Sequence, residues 1–199
     1  MNVEENNRLN DEQILEALTE SGAIRTGHFQ LTSGLHSDTY VQCARVLEYP
    51  KLTTQLAKEM VARLPEDLSA DLVIAPAVGG IIIGFAVAQA MGQRFIFSER
   101  QEGTMVLRRA FYIPANARVL VVEDVVTTGG SVQEVIDIVE ANGAHVVGVS
   151  SLIDRGGDLA FDADYYPLLA MKVESWDPSE CAQCADGIPI DSPGSRRLS

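Results

Sequence analysis

The chain has 199 residues, of which 46% are hydrophobic, so it can bury one sizeable core and is expected to form a single domain over 1–199. Its net charge of −13 and isoelectric point near 4.5 argue against a nucleic-acid partner, because binding a phosphate backbone requires clustered Lys and Arg. Because the sequence has three lysines, an anionic ligand must be bound by backbone N–H groups, a metal ion or a few arginines.

The N-terminal third of the chain shows helical and hairpin patterns. Residues 1–13 lack a positively charged start followed by an apolar core, so we expect no secretory signal and a cytoplasmic location. Asp11–Ser21 has apolar residues at helical spacing, which predicts the first helix. Phe29–Gln42 predicts a hairpin with its turn around Leu35–Asp38, and Lys51–Leu64 predicts a second helix.

The segment Leu72–Gly92 is almost wholly apolar and approaches the roughly 20 residues that cross a bilayer. Pro76 and several glycines interrupt it. We therefore predict a buried strand over Leu72–Ala75, a glycine loop and a buried helix over Ile81–Met91, with no membrane partner.

The rest of the chain alternates strands with helices. The predicted elements are strand Arg94–Ser98, a polar flexible connection over Glu99–Arg109, strand 118–122, helix 131–142 and strand His145–Ile153. Such alternation implies right-handed crossovers and a mainly parallel sheet flanked by helices, which is an α/β fold. Ligands bind beyond the carboxyl ends of strands in such sheets, where Ala75–Gly80 and Glu123–Ser131 both fall.

The most informative segment is 119–131, which reads VLVVEDVVTTGGS. Its apolar start suits a strand buried on both faces, and the carboxylates of Glu123 and Asp124 can accept hydrogen bonds from adjacent sugar hydroxyls or attract a divalent cation. Thr127–Ser131 then offers hydroxyls and backbone N–H groups at the start of a helix, which can surround a phosphate. The alternative is an ordinary strand, turn and helix, with Ser131 as N-cap and Glu134 as its capping-box partner.

The whole string resembles the phosphoribosyl-pyrophosphate (PRPP) motif of the type I phosphoribosyltransferases. The resemblance implies that the acidic pair binds the ribose hydroxyls, directly or with Mg²⁺, and that the loop binds the 5′-phosphate. The residues that it assigns to PRPP in this segment are Glu123, Asp124, Val125, Val126, Thr127, Thr128, Gly129, Gly130 and Ser131.

Three further segments resemble the orotate-specific members of that family. Gly27–Gln42 is similar to their hood, in which Tyr40 matches an aromatic that stacks on the pyrimidine; the alternative is a surface hairpin with Tyr40 in a minor core. Ala77, Val78, Gly79 and Gly80 belong to a segment similar to their pyrophosphate loop, although the glycines would equally serve a plain turn.

The third segment is Ile153–Gly157, which resembles the Asp-Arg element whose arginine pairs with the orotate carboxylate. The resemblance assigns orotate to Arg155, Tyr40 and Thr127; a surface Arg155 paired with Asp154 or Asp158 is the alternative. The C-terminal CAQCADGIPIDSPGSR also resembles the ending of a Thermus-like bacterial branch.

The mobile loop departs from the better-known orotate enzymes, which carry a Lys and a His there. In this chain Ser98–Arg109 has neither residue type; Arg100 matches one basic position, while Arg108 and Arg109 supply charge from the far side. Thr32 and Gly79 also stand where some members carry lysine.

The resemblance implies a type I phosphoribosyltransferase fold with a small hood built from about 1–45 and about 165–199. It further implies transfer of phosphoribose from PRPP to orotate with Mg²⁺, Asp124 and Arg100 as catalytic residues, and a homodimer. The alternatives are a purine or uracil phosphoribosyltransferase and a non-enzymatic PRPP-sensing regulator; a regulator would be expected to show a basic surface.

Cys181 and Cys184 form a CxxC whose readings are half a metal site, a redox pair or two ordinary thiols. A zinc site needs about four ligands. Because no second CxxC or nearby His pair is evident, the sequence favours no metal here, although Cys43 or a partner subunit could contribute. His145 is expected to be structural, and His28 and His36 flank the hood, where either could touch base or solvent.

Overall fold

The computed structural model describes residues 8–193. The first residues of the chain and the stretch 194–199 lie outside the described residues, and with them lie both ends of the expected hood and the last part of the Thermus-like ending.

The described residues form strands, helices and one 3₁₀ turn (Pro178–Glu180). In chain order the other elements are α1 (Asp11–Glu20), β1 (Ile24–Gln30), β2 (His36–Val41), α2 (Ala44–Leu47), α3 (Pro50–Ala62), β3 (Leu72–Pro76), α4 (Gly80–Met91), β4 (Arg94–Gln101), β5 (Thr104–Leu107), β6 (Arg118–Val126), α5 (Gly130–Ala141), β7 (His145–Asp154), β8 (Tyr165–Ala170) and α6 (Ala182–Ala185).

Six strands form one sheet in the order β5-β4-β3-β6-β7-β8, in which β5 alone runs antiparallel to its neighbour. The central strands are apolar on both faces: β3 is buried throughout, and Val119–Val122 of β6 is fully buried. The predicted α/β class with a mainly parallel sheet is confirmed. Its parallel strands bring the carboxyl ends of β3, β6 and β7 to one edge.

Helices cover both faces of this sheet. On one face the apolar sides of α1, α3 and α4 form a core that includes Ile14, Leu56 and Ile83. On the other face α5 packs through Val135 and Val139. No helix within residues 8–193 has the length and apolar character of a membrane span, and Leu72–Gly92 folds as β3, a glycine loop and α4 as predicted.

β1 and β2 form a separate two-stranded sheet, on which the C-terminal segment lies. Phe29 bridges to Asp191 and His36 bridges to Trp176. The sequence did not predict the strand β8, which pairs with β7 in the large sheet. Residues 165–170 of the expected hood therefore belong to the large sheet, and the bridges to the hairpin come from residues after Ala170.

Two predicted loops are corrected by the structure. The hairpin turn lies at Leu31–Leu35 rather than at Leu35–Asp38, because Gly34 adopts a left-handed backbone (φ +87) and the Leu31 N–H bonds to the Leu35 carbonyl. The connection Glu99–Arg109 is largely the β4–β5 hairpin, because Glu102 and Gly103 both take positive φ in the tight turn between the strands.

Candidate active site

Two adjacent carboxylates stand near the carboxyl end of β6. The strand does not end at Val122, as predicted, but continues through Glu123 and Asp124 to Val126 because the register with β7 is kept. Glu123 is buried and Asp124 is half-buried, and the backbone N–H of Asp124 donates to Glu123 Oε1 at 3.0 Å.

This pair is electrostatically unfavourable when ionised. Burial raises the pKa of Glu123 well above its usual range, and the charge of Asp124 raises it further. Burial also raises the pKa of Asp124. A ligand that brings hydroxyl donors or a cation to this pair would stabilise both carboxylates in their ionised form.

The loop after β6 encloses a cavity of about 280 Å³. Its lining comprises Arg100, Glu123, Val125, Val126, Thr127, Thr128, Gly129, Gly130, Ser131, Val132 and Glu134. Backbone N–H groups at the start of α5 and the hydroxyls of Thr127, Thr128 and Ser131 therefore belong to one concave surface, which is suited to a phosphate group.

The predicted capping box at the start of α5 is wrong. Gly129 takes the left-handed conformation (φ +73) and leads straight into the helix at Gly130, so Ser131 lies inside the first turn and no side chain caps this end. Glu134 instead forms an ion pair with Arg100 at 2.9 Å, without the geometry of a hydrogen bond. The uncapped helix start leaves its N–H groups available to an anion.

The glycine loop after β3 packs directly against the acidic pair. A Cβ built on Gly79 would lie 2.6 Å from Asp124 Oδ1, and one built on Gly80 would lie 3.0 Å from Glu123 Oε1. The peptide bond between Ala77 and Val78 is cis. The glycine loop therefore lies against the carboxylates of Asp124 and Glu123, so the two segments singled out by the sequence meet at one point.

Arg155 directly follows β7, where its backbone N–H donates to the Val126 carbonyl at the end of β6, and Tyr40 lies in β2. The guanidinium Nε of Arg155 is buried and has no hydrogen-bond partner among residues 8–193, and burial lowers the pKa of this side chain. Cys43 lies close to Asp124, because its thiol contacts the Asp124 carbonyl at 3.5 Å. The pKa of the Cys43 thiol is raised by burial and by the charge of Asp124, and the charge of Arg155 lowers it.

Tyr40 is half-buried and lies 5.6 Å from Phe29 between ring centroids. Among the described residues, Arg155 forms an ion pair with neither Asp154 nor Asp158, so that alternative is wrong. Asp154 instead accepts the Gly156 N–H at 2.9 Å.

The loop arginines lie apart from the acidic pair. Arg100 reaches the rim of the cavity, where Glu134 and the Gly103 carbonyl hold it. Arg108 and Arg109 both pair with Glu99, and the Arg109 guanidinium also lies over the Phe97 ring.

Phe161 is a supporting residue that sequence reasoning missed. A Cβ on Gly129 would lie 2.4 Å from the Phe161 ring, and the neighbouring Ala160 N–H donates to the Thr128 carbonyl at 2.7 Å. Phe161 is buried among residues of the second core. Its only sequence signal is an isolated aromatic in a polar stretch after β7, which does not indicate a contact with the phosphate loop.

Comparison with known proteins agrees with this geometry. The family model described as "Phosphoribosyl transferase domain" matches residues 47–180. The chain is 48% identical to the orotate phosphoribosyltransferase of Chlorobium phaeobacteroides (strain BS1), over 93% of this chain and 96% of that protein. It is 46% identical to that of Thermoanaerobacter sp. (strain X514), over 94% and 98%.

Among solved structures, orotate phosphoribosyltransferase from Aeropyrum pernix superposes with a TM-score of 0.70 at 24% identity, covering 79% of this chain and 93% of that one. The structural similarity supports the fold, and the sequence identities of 46% and 48% show the closer relationship to orotate phosphoribosyltransferases. The chain therefore belongs to the phosphoribosyltransferase family and, within it, to the orotate phosphoribosyltransferases.

Proposed function

We propose that the cavity beside Asp124 binds PRPP and that this chain transfers its phosphoribosyl group to orotate. The products are orotidine 5′-monophosphate and pyrophosphate, in the pathway to UMP. The observation that carries the site assignment is the contact between Gly79 and the Asp124 carboxylate, which joins a close-approach loop to an acidic pair and a phosphate-sized cavity.

Within this proposal each PRPP group has its own set of contacts. Thr127–Ser131 and the start of α5 hold the 5′-phosphate, Glu123 and Asp124 hold the ribose hydroxyls, and Ala77–Gly80 faces the pyrophosphate. Mg²⁺ fits the donor set, because the carboxylates of buried Glu123 and half-buried Asp124 are the hard oxygen ligands that it prefers, and it would neutralise charge on the leaving pyrophosphate.

Orotate lies against Tyr40 and Arg155. The orotate carboxylate accepts a hydrogen bond from the unpartnered Nε–H of Arg155, and the orotate ring stacks on Tyr40. Thr127 lies where orotate meets PRPP. A base without a carboxylate would leave the buried Nε of Arg155 without a partner. The site therefore favours orotate over uracil or a purine.

The chemistry needs positioning and charge stabilisation more than proton transfer. Bond breaking at the anomeric carbon produces positive charge on the ribose, beside which Asp124 lies, and negative charge on the pyrophosphate. Arg100 reaches the pyrophosphate once it leaves Glu134, a step that costs little because both side chains are half-exposed.

A homodimer is part of the same proposal. Val78 in the glycine loop and Ile82 and Phe85 on α4 expose 82%, 51% and 58% of their surface. A second copy that covers these apolar side chains would lie beside the PRPP site. Phe85→Glu should lower the mass measured by light scattering, whereas Lys58→Glu on exposed α3 surface should not; an unchanged mass for Phe85→Glu would contradict the proposed interface.

We also place the protein in the cytoplasm, in keeping with three free cysteines. The reaction itself is tested by following the loss of orotate absorbance with PRPP and Mg²⁺. Turnover of orotate, with uracil and hypoxanthine at least about 100-fold slower, is expected from the unpaired Arg155. Preference for uracil or hypoxanthine would refute the assignment of orotate.

A further inference from the structure

Four side chains from distant parts of the sequence converge at the hood. His28 and His36 come from β1 and β2, Cys181 is the N-cap of α6, and Cys184 lies within α6. Their ligand atoms all lie within 4.8 Å of one another. His28, His36 and Cys181 are buried, and Cys184 is exposed. The His pair that the CxxC lacked in the sequence is thus supplied by the hairpin.

The distances between these atoms match the edges of a coordination tetrahedron. His28 Nε2 lies 3.2 Å from His36 Nδ1, 3.4 Å from Cys181 Sγ and 3.6 Å from Cys184 Sγ, and Cys184 Sγ lies 3.2 Å from His36 Nδ1. Tetrahedral zinc bonds imply edges of about 3.3 Å between two nitrogens and about 3.6 Å between nitrogen and sulfur.

Hydrogen bonding alone does not account for this arrangement. His28 Nδ1 lies 2.8 Å from the Ile188 carbonyl, to which it must donate its proton, so Nε2 carries a single lone pair. That lone pair faces three neighbouring groups at once, whereas one cation would satisfy all four ligands. A backbone carbonyl behind a histidine is also the usual support of a metal ligand.

We propose that His28, His36, Cys181 and Cys184 bind a structural Zn²⁺. Two thiolates and two imidazoles in a closed tetrahedron suit zinc. A two-iron cluster would put the His pair and the Cys pair on separate irons, whereas here histidine and cysteine atoms are 3.2–3.6 Å apart.

The role that follows is to fasten the C-terminal segment to the β1–β2 hairpin. A two-stranded sheet is marginal by itself, and neither α6 nor the 3₁₀ turn has a buried residue of its own. The metal joins β1 and β2 to α6, close to the His36–Trp176 bridge. This site is separate from the Mg²⁺ proposed at the acidic pair.

The test is the zinc content of untagged protein purified under reducing conditions without chelator. Wild type should hold about one zinc per chain, and Cys184→Ala and His28→Ala should hold almost none. Cys43→Ala and His145→Ala are the matched controls and should keep their zinc. Because Cys184 is exposed, its loss should leave the main fold intact, which circular dichroism would check.

Two measurements on wild type make the result independent of the variants. Replacement by Co²⁺ should give the intense visible bands of tetrahedral thiolate coordination, and a chelator should shift the emission of Trp176, the only tryptophan, which bonds through its backbone to His36. Absence of zinc and of the Co²⁺ bands, or a metal-free Cys181–Cys184 disulfide, would overturn the proposal. Neither readout depends on orotate turnover.

Discussion

The charged side chains at the two ends of strands β3 and β6 are in opposite electrostatic environments. At their amino ends, Asp71 and Arg118 form a matched pair in which the carboxylate accepts from the Arg118 backbone N–H at 2.9 Å and from its guanidinium at 2.7 and 3.1 Å. These bonds lower the pKa of Asp71 to about 2. At the carboxyl ends, burial and like charge raise the pKa of Glu123 instead.

The difference separates stability from binding within one sheet. The amino end satisfies its charges internally and needs no ligand. The carboxyl end holds two carboxylates, an uncapped helix start and an unpartnered Arg155 Nε, each of which a substrate group can satisfy. Groups left unsatisfied in the folded chain therefore mark the side on which PRPP and orotate are proposed to bind.

The largest effect is expected from Asp124→Asn. It should lower kcat/KM for PRPP by at least about 100-fold, because the amide cannot stabilise positive charge on the ribose. Thermal unfolding should be unchanged or shifted upwards. Asp67→Asn, at an exposed position remote from the cavity, is the control and should behave as wild type.

Arg155→Lys should raise KM for orotate by about 10-fold or more while leaving KM for PRPP nearly unchanged, because a lysine lacks the planar pair of donors that match a carboxylate. Arg118→Lys, at the opposite end of the sheet, serves as the matched control in steady-state kinetics. An equal rise in both KM values would mean that Arg155 supports the site as a whole rather than orotate.

Glu123→Gln should stabilise the fold while it weakens PRPP binding. Because the folded-state pKa of Glu123 is raised, ionisation costs stability as pH rises through that value, whereas below the unfolded-state pKa the carboxyl is neutral in both states. We expect a gain in unfolding free energy near pH 8 that vanishes below about pH 4. Denaturant unfolding at both pH values measures it; destabilisation near pH 8 would show that the carboxylate is satisfied in the free protein.

Asp71→Asn should give the smallest effect, with the opposite pH dependence. The folded-state pKa of Asp71 is lowered, so its contribution to stability is present above the unfolded-state pKa and is lost as pH falls towards about 2. The pair is exposed, so the loss near neutral pH should be slight, and kinetics should match wild type. A large loss of activity would contradict the division between the two ends of the sheet.

Local patterns predicted the four central strands of the large sheet, and the assignment of PRPP to the segment after β6 stays a prediction. One continuous segment contains the apolar run Val119–Val122, the acidic pair and the glycine-rich loop. The same stretch of sequence therefore predicts both the strand and the polar groups at its end. The β4–β5 hairpin was missed because a polar sequence concealed a two-residue turn with positive φ.

Long-range contacts account for the other misses. Phe161 supports Gly129, and His28 meets Cys181, only because the fold brings separate segments together. No spacing rule connects a histidine in a hairpin to a CxxC near the other end of the chain. The pairing of Glu134 with Arg100 was likewise hidden, since an acidic residue three positions after Ser131 is equally typical of a capping box.

The central claim is that the cavity lined by Glu123 and Thr127–Ser131, beside Asp124, is part of the PRPP site. Calorimetric titration of PRPP with Mg²⁺ into wild type and Asp124→Asn tests it most directly, since it needs no turnover. We predict one PRPP per chain for wild type and binding at least about 10-fold weaker for the variant. Equal affinity for both proteins would contradict the account.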